Sequence, residues 1–120
     1  MSLINKSSKI SKPIEKASKS VLGTSFYGGY IYSSANEISK ICGDPYKIYD
    51  EKVTYKWELE IGDIVFTIYD YREASSPNMS TKVYYHLGTL TEEDTEKVLK
   101  VFDEYGFETT TLDKLMGKHK

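Results

Sequence analysis

Between Val53 and Ile61 every second residue is apolar: Val53, Tyr55, Trp57, Leu59 and Ile61 are separated by Thr54, Lys56, Glu58 and Glu60. That two-residue period belongs to a strand with one face buried. Gly62-Asp63 supplies a glycine-led hairpin loop, and Ile64 to Tyr71 is the return strand. A two-residue turn sets the register, because residues opposite each other across two strands share a face. One side then pairs Ile61 with Ile64, Leu59 with Phe66, Trp57 with Ile68 and Tyr55 with Asp70. The other side pairs Glu60 with Val65, Glu58 with Thr67, Lys56 with Tyr69 and Thr54 with Tyr71.

Other elements follow from weaker patterns. Phe26 to Tyr32 reads as a strand whose Gly28-Gly29 predicts a bulge or a bent edge. Ser34-Ala35-Asn36-Glu37 is a capping box, opening a short helix from Ala35 to Cys42 that buries Ile38, Ile41 and Cys42 and stops at Gly43 and Pro45. Arg72 to Thr81 reads as a loop, and Lys82 to Gly88 as a strand with Val83, Tyr85 and Leu87 on one side and Tyr84 and His86 on the other. Thr91 caps a second helix with Glu92, Glu93 and Asp94 in its first turn. Its stripe is Val98, Leu99, Val101, Phe102 and Tyr105, and Gly106 ends it. Phe107 to Leu112 predicts an edge strand and Asp113 to Lys120 a frayed end. The fold expected is α+β: a small antiparallel sheet of four to five strands with two helices, in the order β-α-β-β-β-α, closed by an optional last strand.

At 120 residues the chain has room for one domain. No apolar run approaches the ~20 residues that span a bilayer, so no membrane role is expected. A single cysteine forms no internal disulfide, and a reducing cytoplasm is the expected setting. Charge is uneven. Residues 1–20 carry five lysines against one acid, so the remaining residues carry −6 to reach the overall −2. Residues 1–20 are expected to be a basic, Ser/Lys-rich mobile tail and 21–120 the domain; nucleic-acid binding is disfavoured except through that tail.

Candidate chemistry is sparse. The register that buries Ile68 also buries Asp70, which needs the Tyr55 hydroxyl, backbone amides or Arg72 as partner; it either fastens a loop or touches a ligand. His86 stands alone as a potential metal ligand, so neither a metal nor a cofactor is expected. His86 with Asp70 is the one pair from which a small hydrolase is conceivable, yet this register sets them on opposite faces. Cys42 reads as core. Eleven tyrosines in 120 residues are the anomaly. With the Tyr84 strand beside Ile64 to Tyr71, one face gathers Lys56, Tyr69, Tyr71, Tyr84 and His86. It serves as a stacking platform or a self-association surface, unless a helix covers it.

Gly43-Asp44-Pro45, Lys52-Val53, Trp57, Phe66-Thr67-Ile68-Tyr69-Asp70-Tyr71-Arg72 and Tyr85-His86-Leu87-Gly88 together resemble a family of small uncharacterised proteins from phages and large DNA viruses. The likeness covers roughly 43–88, with Tyr71 and Tyr85 where tryptophan is usual, Arg72 for lysine and Thr89 where a second glycine is common. It implies a viral origin and an α+β fold but no reaction. The expected function is that of a non-enzymatic accessory protein that binds in the host cytoplasm and interferes with a host, or host defence, component. Its partner is a host protein or a second copy. The alternative is a sponge for a nucleotide-type signal, with Tyr69, Tyr71, Tyr84 and His86 around the base and Lys56 or Arg72 on phosphate.

Overall fold

The computed structural model describes residues 13–48, 52–71 and 77–117. The hairpin forms as the alternation requires. Strands β4 (Tyr55–Ile61) and β5 (Ile64–Tyr69) pair Ile61 with Ile64, Leu59 with Phe66, Trp57 with Ile68, Glu58 with Thr67 and Lys56 with Tyr69. Gly62 turns the chain at a φ of 59°, a left-handed conformation that glycine adopts without strain. The ladder ends at Lys56 and Tyr69, short of the two further pairs expected.

Five further strands join this hairpin in one antiparallel sheet: β1 (Glu15–Lys16), β2 (Ser25–Ser34), β3 (Tyr46–Lys47), β6 (Lys82–Thr89) and β7 (Glu108–Thr111). Their spatial order is β1-β4-β5-β6-β2-β7, and β3 shares the outer edge of β4 with β1. The sheet therefore has seven strands among the described residues, not four or five. β2 is not an edge strand as its glycines suggested, since β7 covers its second side. The bulge is present, because pairing with β6 slips between Phe26 and Gly29, and Gly28 takes a φ of 93°.

Helix α1 (Ala35–Cys42) starts at Ser34, whose hydroxyl accepts from the Glu37 amide, and α2 (Glu92–Glu104) starts at Thr91 in the same way with Asp94. Both lie on one face of the sheet. Ile38 and Cys42 of α1 and Val98, Leu99 and Phe102 of α2 join Ile31, Trp57, Leu59, Phe66, Ile68, Tyr85 and Leu87 in one core. Phe66 and Phe102 meet edge to face at 6.1 Å, and the Trp57 indole N–H donates to the Gly43 carbonyl at 2.8 Å. A short helix α3 (Leu112–Gly117) occupies part of the end expected to fray. Leu112 shares a cleft with Thr95 and Leu99, which puts α3 on the helical side too.

The mobile-tail expectation needs correction over its second half. Ile14 is buried in the core, β1 pairs with β4, and the amide and hydroxyl of Ser18 both donate to Glu60. An apolar side chain and an unpaired strand edge hold the segment where composition alone saw only lysine and serine. Residues 1–12 lie outside the described residues. No helix among the described residues is long and apolar enough to cross a membrane.

Candidate functional site: an uncovered aromatic face

Strand pairing decides which side chains share the face opposite the helices. Tyr69 pairs with His86, His86 with Tyr30, and Tyr84 with Tyr32, so these residues stand side by side across β5, β6 and β2. Alternation sends their neighbours Ile68, Tyr85, Leu87 and Ile31 to the core. Phe26 and Tyr71 complete a continuous cluster of seven rings. His86 is its hub, with ring centroids 4.5 Å from Phe26, 5.1 Å from Tyr30 and 5.5 Å from both Tyr69 and Tyr71. Tyr69 stacks on the imidazole at 27°, and Tyr84 packs on Tyr30 and Tyr32. No helix among the described residues covers this face. Its rings are half-buried against one another, and Tyr84 is 38% exposed.

The electrostatics are mild. Burial holds the His86 pKa below its usual value, while the Tyr84 backbone and the Asp70 carboxylate pull the other way by less. Its Nδ1 is buried with no well-formed hydrogen bond among the described residues. Burial, then the neighbouring Tyr71 phenol, pushes Tyr69 up, so its hydroxyl is a neutral donor. Lys56 lies 3.5 Å from Glu58, and the Lys82 ammonium sits 5.2 Å from the centre of the Tyr32 ring.

Of the candidates named from sequence, Lys56, Tyr69, Tyr71, Tyr84 and His86 meet on this face. Arg72 lies outside the described residues. Asp70 does not join them. It faces the core, 1% exposed, and its carboxylate accepts from the Thr54 amide at 2.9 Å and the Tyr55 amide at 2.7 Å. Asp70 thereby continues in side-chain form the ladder that stops one residue earlier. Backbone amides, not the Tyr55 hydroxyl, are its recorded partners. With its oxygens so engaged and His86 across the sheet, the pair assembles no hydrolytic site.

Sequence reasoning missed Phe26, Tyr30 and Tyr32, although Tyr30-Ile31-Tyr32 repeats the polar-apolar order of Tyr84-Tyr85-His86 and so signalled the same face. It also missed Thr24, Val53 and Thr67, which with Lys56, Tyr69 and Tyr71 line a recess of about 270 Å³. Thr24 arrives there because β1 lies outside β4 while β2 lies beyond β6, so residues 17–24 must cross the sheet. Among the described residues no cluster of His, Cys, Asp and Glu is placed to hold a metal ion. The chain matches no protein-family model, no curated protein and no solved structure.

Proposed function

We propose that this protein works by binding, with the aromatic face of its sheet as the docking surface and without chemical change to what it holds. The observation that carries this reading is the unbroken ring cluster, centred on His86, on the face that neither α1 nor α2 covers. Tyrosine brings large, rigid contact area with a polar tip at small cost in rotamer entropy, which is why binding surfaces are rich in it. Contiguous aromatic patches of this kind on the solvent side mark interaction sites.

If residues 43–88 belong with the small phage and large-DNA-virus proteins they resemble, the chain is a viral accessory protein at work in the host cytoplasm on a host component such as a defence protein. A second copy of the chain fits the same face. Native mass spectrometry of the protein purified from the cell that makes it reads the bound species directly. Wild type is expected to carry added mass that a folded Tyr30→Ala/Tyr84→Ala variant loses. Wild type found bare at every concentration sinks the reading.

A further inference from the structure

One corner of the open face is concave. Thr24, Val53, Lys56, Thr67, Tyr69 and Tyr71 enclose about 270 Å³ there, near the lower limit of ~300 Å³ for sites that take drug-sized molecules. Tyr69 and Tyr71 stand edge to face with centroids 6.4 Å apart, so a flat guest can lie on one ring with its rim against the other. Thr67 is 2% exposed, yet its hydroxyl makes no hydrogen bond with any described residue. The hydroxyl opens onto the recess, where a guest can take the place of water on it. Opposite it on β6 is Gly88, where a Cβ would come within 2.5 Å of the Thr67 oxygen. Glycine there keeps that hydroxyl clear. The Thr24 hydroxyl already donates to the Val21 carbonyl and so has only acceptor capacity left for a guest. Lys56 is the one cation in the lining among the described residues.

We infer that this recess takes the base of a mononucleotide, an assignment that rests on the open face being the working surface. The base stacks on Tyr69, its polar edge meets Thr67 and Thr24, and the phosphate takes Lys56 from Glu58. A single strand fits less well. The cations on the paired strands of this face are Lys56 and Lys82, one beside Glu58 and the other over Tyr32, where a strand needs a continuous basic track.

The test titrates AMP, GMP, CMP and UMP into the full chain, reading melting temperature and tyrosine emission. At least one is expected to raise the melting temperature. Thr67→Val, which exchanges only the unpaired hydroxyl for a methyl, weakens that ligand about three- to ten-fold. Tyr69→Leu weakens it about ten-fold or more, and Lys100→Ala on the far side leaves it unchanged. Glu58→Gln tightens it by releasing Lys56. Silence from all four nucleotides at millimolar concentration overturns the assignment, as does an affinity that Thr67→Val leaves intact. A short single strand that binds about a hundred-fold more tightly than its mononucleotide overturns it in favour of nucleic acid. If the nucleotides fail while native mass still finds a partner on wild type, the recess falls and the docking face stands.

Discussion

His86 shows how one residue links the aromatic face to stability. Burial lowers its pKa in the folded chain, while in the unfolded chain it titrates near ~6.5. The unfolded state therefore takes up the proton first, and stability falls as pH drops below ~6.5 towards the lowered folded value. The other histidine of the two in the chain, His119, lies outside the described residues. The urea midpoint is expected to be lower at about pH 5.5 than at about pH 7.5, and His86→Phe to flatten the difference. An unchanged difference in the variant assigns the effect elsewhere. Asp70 gives a larger and simpler expectation. Asp70→Ala strands the buried Tyr55 amide and frees the part-buried Thr54 amide, a loss of about 2–3 kcal/mol. A urea-derived loss below ~0.5 kcal/mol would show that the strand end is held by other means. Cys42, its pKa pushed up to about 12 by burial, stays a thiol. Native protein at about pH 8 should resist iodoacetamide, and urea-unfolded protein should react; rapid native labelling would contradict the burial.

At the scale of elements, the β5–β6 pair has a testable steric contact. Thr67 and Gly88 face each other, and any Cβ at position 88 meets the threonine oxygen at 2.5 Å. Gly88→Ala should cost roughly 1–3 kcal/mol, and Thr67→Ala in the same chain should restore part of it. A double-mutant cycle by urea unfolding measures the coupling, and additive losses would deny the clash. That contact follows from a pairing only partly legible in the sequence. The hairpin of β4 and β5 was legible because an unbroken two-residue period and a glycine turn each fix the register, and they agree. Helices α1 and α2 were both legible from their caps. β1 and β3 were not, since two paired residues carry no period, and their places depend on the free edge of β4. The two neighbours of β2 were hidden for another reason: its glycines read as an edge signal, while in the sheet they absorb a bulge between two partners. The site divides the same way. Lys56, Tyr69 and Tyr71 come from periodic strands, whereas Thr24 and Val53 come from segments whose position only the completed sheet determines.

Across the whole molecule, one sheet and the helices α1 and α2 leave an asymmetry. Both helices pack on the same face, so one side carries the core and the other carries the ring cluster, with residues 17–24 crossing beside it. The basic N-terminal segment belongs to this architecture in its second half. The Ala17 amide donates to the Glu58 carbonyl, Glu15 and Lys16 pair with Glu60 and Leu59, and Ile14 enters the core. Bonds from Ser18 and the charge of Lys19 also hold the Glu60 pKa below the usual carboxylate range. A solvated extension could be removed without consequence; this segment cannot. Ile14→Ala should cost about 2 kcal/mol, the bottom of the range for truncating a core aliphatic to alanine, because the residue lies at the rim and is 9% exposed. Deleting residues 1–20 should cost more than Ile14→Ala, since it removes β1 as well and uncovers the edge of β4 between Glu58 and Glu60. Urea unfolding of the two variants decides it. A deletion as stable as wild type would mean that Ile14 and β1 contribute nothing, and a deletion no worse than Ile14→Ala would confine the contribution to the one side chain.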